Sequence, residues 1–438
     1  MQAMSTRIFH QDFKPRPYWW EAHEPKALPE IALPAETRVA IVGAGYAGLN
    51  AALELTASGI DCIVLDANEP GFGASTRNGG MVSGGVNVGK RYMARALTAD
   101  EAAPFLADAA DAFSLVEDLV AREDIDCGWK RSGYFLGAWC RSHFDGMAKR
   151  VDMLNRHARS EAYLVPPERQ REEIGSSYYR GGMVVGRAGQ LHPALFFKGI
   201  LDLCAKRGIV IASKTPVTRL TGHGSGWLVE TPRGTIKAGD GIIATNGYTG
   251  DVTPQFKRRV VPVGSYIIAT EELDPALAAA LSPKNRTMAD TRRVLTYYRM
   301  SPDGRRLIFG GRAKFGHTDP VETAPILYQF MTDRFPQLKG TKITHAWTGN
   351  VAFTLDEVPH MGKFGNLHYA LGCNGSGIAM MSYLGHQTAR KIAGRVNSTC
   401  AFDRPEFPGH PLYNGSTWFL PWIGRYFRSR DWIDRHFG

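Results

Sequence analysis

The sequence has 438 residues, 44% of them apolar and 21% charged, with 48 glycines. That is ordinary globular usage enriched in glycine, which excludes a disordered or collagen-like chain and predicts two or three domains. Lys plus Arg outnumber Asp plus Glu by 52 to 42, a net charge of +10; with no Lys/Arg run of about five or six residues and no zinc-finger or RNA-binding signature, this reads as a solvated basic surface, without a nucleic-acid partner.

Residues 1–36 are rich in proline and aromatics, including Pro15, Pro17, Tyr18, Trp19, Trp20 and Pro25. They read as an extended arm whose aromatics pack on the body. The clearest local pattern follows. Residues 38–42 are a short β-branched run, a buried strand. Gly43-Ala44-Gly45-Tyr46-Ala47-Gly48 is a turn, 49–58 has apolar residues on one helical face, and 61–66 is a second strand ending at Asp66, with Ala67 just after it as a further cofactor-binding candidate. In such a strand–turn–helix–strand unit the first glycine permits the turn. The second lets backbone approach a pyrophosphate, and the third lets helix pack on strand. The helix N-terminus offers N–H groups and a positive dipole end to phosphates. Asp66 is placed to accept hydrogen bonds from ribose hydroxyls.

The loop 71–81 carries Ala74, Ser75, Arg77, Asn78, Gly79, Gly80 and Met81. Its small residues let backbone N–H groups come close to a planar ring and a pyrophosphate. Residues 100–160 read as largely helical, with a short strand near 133–136. A helix opens after His192-Pro193, 227–231 and 234–237 form a hairpin, and 241–245 is a buried strand. Residues 258–312 alternate as antiparallel strands, notably 265–270, 296–300 and 307–311. Residues 320–335 are a helix, 368–372 a strand, and 378–393 a last long helix.

Six cysteines, with no Cys-x-x-Cys pair, fit reduced thiols in a cytoplasmic protein. No metal site, secretory signal or membrane span is expected. The tail, residues 396–438, mixes Trp418, Trp422, Tyr426 and Trp432 with several arginines. It is expected to pack over the nucleotide-binding part, with peripheral membrane contact as the other reading.

These motifs resemble the D-amino-acid-oxidase-like family of FAD oxidoreductases, from about residue 37 to 394. The stretch Gly71-Phe72-Gly73-Ala74-Ser75-Thr76-Arg77-Asn78-Gly79-Gly80 is most similar to the γ-glutamylputrescine oxidase branch. The resemblance implies an α/β fold: a Rossmann-type FAD-binding domain with an inserted α+β substrate domain on an antiparallel sheet. The FAD-binding domain would comprise 37–99, 191–255 and 346–395, and the substrate domain 100–190 and 256–345. It also implies that Val217 contacts the adenine, that Thr245, Asn246, Gly247 and Tyr248 close over the diphosphate, and that Gly349, Gly375, Ser376, Gly377 and Ile378 face the flavin.

Two departures stand out. Relatives that oxidise small α-amino acids clamp the substrate carboxylate with an arginine, but Val351 and Gly375 stand at the matching places. No lysine lies on 307–310, where the monomeric sarcosine branch carries one. Asn78 in the early flavin loop implies a non-covalent flavin, with Cys373 the one cysteine near a flavin-facing motif. Tyr266, Tyr298 and Arg312 are the substrate-site candidates; His345 and His360 read as structural.

The implied reaction is oxidation of an amine or N-substituted amino acid to an imine, by hydride transfer to FAD and then to oxygen or a quinone. The alternatives are a D-amino-acid or opine-type dehydrogenase passing electrons to a quinone, and a basic flavoprotein that binds a partner without catalysis.

Overall fold

The computed structural model describes residues 8–83, 96–316, 318–395 and 400–438. The start of the arm (1–7), residues 84–95 of the expected FAD-binding stretch, His317, and 396–399 at the start of the tail lie outside the described residues. Two large sheets organise the rest.

The first is the nucleotide-type sheet. Its strands run in the order Arg219–His223, Gly226–Thr231, Gly234–Ile243, Glu36–Val42, Cys62–Leu65, Val210–Ala212. Leu367–Leu371 adds in parallel to the C-terminal end of Gly234–Ile243. The last four strands of that order are mutually parallel, and Val39, Ala40, Ile41, Val64 and Leu65 are buried, as a sheet covered on both faces requires. The hairpin strand and the buried strand expected over 234–245 are one strand. Its first half pairs antiparallel with Gly226–Thr231 and its second half in parallel with Leu367–Leu371.

Two helices pack on this sheet and on each other, Tyr46–Ala57 and Gly377–Ile392. They cross where Gly385 faces Ala47; a Cβ on Gly385 would stand 2.0 Å from the Ala47 carbonyl oxygen. Only glycine lets these backbones meet so closely.

The second sheet runs Phe9–Lys14, Ile343–Thr354, Val260–Thr270, Leu307–Gly311, Thr296–Met300, Thr287–Asp290, Tyr134–Gly137, Gly182–Val185, Ala162–Val165. The expected antiparallel sheet is in fact mixed. Phe9–Lys14 pairs in parallel with Ile343–Thr354, and Thr287–Asp290 in parallel with Tyr134–Gly137. One face carries the Pro320–Arg334 helix over a core of Phe135, Tyr266, Tyr298, Phe309 and Phe335. That core holds a buried polar knot: Asp290 Oδ2 accepts from Arg334 Nη2 at 2.8 Å and from Thr296 Oγ1 at 2.7 Å, and Arg334 Nε donates to Tyr179 Oη at 3.0 Å.

Three placements differ from expectation. The strand Ile343–Thr354 runs through residue 346, because an eleven-pair ladder to Val260–Thr270 holds it whole. The helix Ala99–Arg122 packs on Gly377–Ile392 instead of on the second sheet, with Tyr383 Oη donating to Asp108 Oδ1 at 2.8 Å. The tail helix Leu420–Phe437 packs on Val261, Val263 and Phe315 of the second sheet and its connections, not over the nucleotide sheet.

Candidate functional site

A cleft opens at the C-terminal ends of the parallel strands, where ligands bind in open α/β sheets. Gly43 leaves the strand at φ +108°, and a Cβ there would stand 2.9 Å from the Ala244 carbonyl oxygen. Gly48 packs the helix onto this turn, its missing Cβ lying 1.9 Å from Gly43 O. The helices Tyr46–Ala57 and Gly377–Ile392 both begin at the cleft, and neither N-cap side chain bonds back to its helix, although Ser75 Oγ accepts from Tyr46 N at 3.2 Å. Two positive dipole ends therefore face it, which suits an anionic group. Asp66 also lines the cleft, accepting from the N–H groups of Ala44 at 2.7 Å and Asn68 at 2.9 Å. Burial pushes its carboxyl above the ordinary value, and those two N–H bonds offset only part of this.

The 71–81 loop forms the far wall. Asn78 knits it, its amide donating to Ser75 O at 2.9 Å and its Oδ1 accepting from Gly80 N at 2.8 Å. Three indoles then pin it. Trp19 Nε1 donates to Asn78 O at 2.8 Å, Trp20 Nε1 to Thr76 Oγ1 at 2.9 Å, and Trp347 Nε1 to Arg77 O at 2.8 Å. The Arg77 guanidinium lies 4.6 Å from the ring centres of both Trp20 and Phe72. Arg299 reaches the same region from the second sheet, donating to Gly80 O and Leu191 O.

A second cavity adjoins the cleft; Ala74, Asn78, Asn350, Val351, Gly375 and Gly377 line both. Its walls are the face of the second sheet that carries Val263, Ser265, Ile267, Gly349, Val351, Phe353 and Tyr297. Because side chains alternate along a strand, Tyr266 and Tyr298 point to the opposite face. Tyr266 Oη donates to Gly316 O, and Tyr298 stacks on Phe309 and meets Tyr179 Oη at 2.7 Å. Of the three substrate candidates only Arg312 faces the cavity, with its guanidinium 4.7 Å from the Phe353 ring centre. Tyr297 takes the place expected of Tyr298. Its ring lies over Gly310, and its hydroxyl meets Ser265 Oγ at 2.9 Å. Burial pushes its phenol up to about 12, so it stays protonated.

The model of the family described as FAD dependent oxidoreductase matches residues 38–391. The chain belongs to the FAD-dependent oxidoreductase family. It is 30% identical over 398 residues to gamma-glutamylputrescine oxidoreductase of Escherichia coli K12, covering 90% of this chain and 92% of that one. A probable oxidoreductase of Haemophilus influenzae is 29% identical, covering 91% and 93%. Among solved structures, glycine oxidase from Geobacillus kaustophilus superposes with a TM-score of 0.70 at 19% identity, covering 86% of this chain and 99% of that one. L-amino acid deaminase from Proteus vulgaris reaches 0.71 at 14%, covering 86% and 98%. The fold is theirs: a Rossmann-type FAD-binding part and a sheet-based substrate part.

The cofactor of this FAD-dependent oxidoreductase is FAD, and the cleft fits it. Gly43, Gly45, Tyr46, Ala47, Asp66, Ala67, Ala74, Ser75, Asn78, Val217, Thr245, Asn246, Tyr248, Gly375 and Gly377 line the cleft; Arg77, Gly79, Met81, Gly349 and Ile378 line the adjoining cavity. Four expected cofactor residues line neither. Gly48 lies beneath the turn, and Gly80 is wedged against Leu191 O. Gly247 abuts Asn350, and Ser376 is the N-cap of the last long helix. These support the cleft without facing it. Asn246 does both, its Oδ1 accepting from Gly372 N at 3.0 Å. His345 and His360 line neither cavity; they bond to Glu21 Oε1 and Asp356 Oδ1. The residues that sequence reasoning missed include Glu357, in a loop without a motif, and Asn350, which stands in the strand Ile343–Thr354 just after Gly349. The signal for Tyr297 was its alternation with Tyr298.

Proposed function

We propose that the protein oxidises a C–N bond of an extended amine or N-substituted amino acid to an imine, with γ-glutamylated amines as the favoured class. The observation that carries this reading is the placement of charge. Val351 and Gly375 line the junction of cleft and cavity, and neither can pair with a carboxylate. Arg312 lines the second cavity and not the cleft, with Arg77 and Glu357 also in that cavity's wall. A small α-amino acid would bury its carboxylate unpaired at the junction, at a cost on the order of several kcal/mol. A longer substrate reaches Arg312, whose planar fork suits a carboxylate.

Gly45, Ser75 and the two helix N-termini would hold the diphosphate of FAD, Asp66 its ribose, and the 71–81 loop its ring. FAD, when bound, supplies the electron chemistry by accepting hydride from the carbon beside nitrogen. The chain's own part is to position and to exclude water. Val263, Ile267, Leu295 and Phe353 give the substrate's chain an apolar wall. The Tyr297 and Ser265 hydroxyls orient its polar groups. An unprotonated amine needs no dedicated base. The kinship in sequence with the Escherichia coli oxidoreductase supports the same class.

The test is an anaerobic substrate panel followed at the flavin absorbance band. Rapid bleaching by γ-glutamylated diamines or N-alkyl amino acids, with glycine and D-alanine slow, is expected. Rapid bleaching by glycine or D-alanine with no response to the longer amines overturns the reading. Oxygen uptake in the same assay separates oxygen from a quinone as acceptor.

A further inference from the structure

The tail helix Leu420–Phe437 has two faces with different tasks. Leu420, Gly424, Phe427 and Asp431 recur at helical spacing and are buried against the body. Asp431 fixes the helix firmly, its Oδ1 accepting from Arg293 N and its Oδ2 from Val294 N, both at 2.9 Å. Arg435 turns inward to the carbonyls of Trp139 and Tyr178.

At 100° per residue, Trp422, Tyr426, Ile433 and Phe437 fall within one stripe on the side opposite the buried residues. They are 62%, 50%, 43% and 79% exposed. A row of large apolar side chains left in water on one helix calls for a partner. Arg425 and Arg430 flank the stripe on either side, with Arg428 beyond Arg425. None of the three forms an ion pair with a carboxylate among the described residues. The helix's two acidic residues, Asp431 and Asp434, are turned to Arg293. The outward face is thus apolar and purely cationic, on a chain of net charge +10.

We infer that this face docks the protein on an anionic lipid surface, with Trp422, Tyr426, Ile433 and Phe437 entering the headgroup–acyl boundary and the arginines pairing with lipid phosphates. Apolar stripe, aromatic residues and flanking cations are what an interfacial helix requires. A symmetric second copy fits poorly, since an isologous contact would set Arg425, Arg428 and Arg430 against themselves. Binding needs no folding step, because the helix is already formed and pinned. Val263, which lines the substrate cavity, belongs to the same packed cluster as Leu420 and Phe427. The docked face is therefore one layer behind the site.

The holoprotein is sedimented with vesicles of phosphatidylcholine alone or of two parts phosphatidylcholine to one part phosphatidylglycerol. Binding to the anionic vesicles at ~0.1 M salt, little to the neutral ones, and release at ~1 M salt are expected, because the Debye length falls to about 3 Å. Arg425→Gln, Arg428→Gln and Arg430→Gln together weaken binding on the order of a hundredfold, about fivefold each. Trp422→Ser with Phe437→Ser also abolishes it. Both variants keep their flavin and turnover with free substrate, which shows that they are folded. Failure of the holoprotein to sediment with the anionic vesicles overturns the inference. So does binding that neither variant weakens, or a concentration-dependent dimer that Trp422→Ser dissolves.

Discussion

The indole of Trp19 is fully buried and donates its one N–H to the carbonyl of Asn78. This bond ties the N-terminal arm to the loop that walls the FAD cleft. Trp19 also packs edge-on against His192 and Trp347. Trp19→Ala removes both the packing and the tether. We expect a loss of about 3–5 kcal/mol of stability and weaker FAD retention, read by thermal unfolding and by flavin released on dilution. Unchanged flavin affinity in a destabilised variant would separate the arm from the cleft.

Gly45→Val tests the cleft itself. A Cβ at Gly45 already comes within 3.2 Å of Ser75 Oγ, and a branched side chain fills the space between the helix N-terminus and the loop. The variant should purify folded and colourless. A yellow variant of normal flavin content would mean that the phosphates sit elsewhere.

Tyr297→Phe and Tyr298→Phe should behave oppositely. The first removes the hydroxyl beside Ser265 in the cavity and should lower kcat/KM about fivefold, the worth of one hydrogen bond. The second removes a hydroxyl from the Tyr179–Asp290–Arg334 knot, so it should cost about 1 kcal/mol of stability and leave KM alone. Steady-state kinetics and urea unfolding of the pair distinguish the two faces of the strand.

Asp290 provides a pH signature. Burial raises its carboxyl, but Arg292 and Arg334 outweigh this and hold it below the ordinary value. A carboxylate with a lowered native pKa contributes stability above the unfolded value, about 3.9. That stability is lost as pH falls toward the native value. Asp290→Asn should cost about 3–5 kcal/mol at neutral pH, because it strands buried arginine charge. It should also flatten the acid limb of the stability profile. An equally steep limb in the variant would assign the acid sensitivity to other carboxylates.

The flavin should come off with acid. Asn78 holds the loop position through its amide, and Cys373 Sγ turns toward Ala352 O at 3.8 Å. Precipitated protein should leave its yellow colour in the supernatant. Colour in the pellet would indicate a covalent bond, with Cys373→Ser the variant that releases it.

The Gly43/Gly45/Gly48 turn and its two strands were readable because their physics is local: a short buried strand, a turn only glycine can make, and a helix of the right phase. The antiparallel run over 258–312 was readable for the same reason. Which tyrosine faces the cavity was not. Alternation says that Tyr297 and Tyr298 differ, but the phase is set by cross-strand partners, Gly310 for one and Phe309 for the other. The arm's docking on Asn78 and the packing of Ala99–Arg122 on Gly377–Ile392 rest on contacts between distant parts of the chain, and no local pattern carries them.

The parallel pairing of Phe9 with Ile343 orders events during synthesis. The arm emerges from the ribosome well before its sheet partner, which lies more than three hundred residues further along. Until then Trp19 has neither Trp347 to pack on nor a finished edge to follow. The nucleotide turn, by contrast, joins two strands close in sequence, Glu36–Val42 and Cys62–Leu65, before Gly234–Ile243 adds to them. The cradle for the diphosphate is completed late as well, because the second helix N-terminus facing the cleft belongs to Gly377–Ile392, and the arm clasps its wall only once the greater part of the polypeptide has been made. Such late, long-range closure is slow by its topology. The bonds of Trp19, Trp20 and Trp347 to the 71–81 loop are therefore among the last parts of the cleft wall to form.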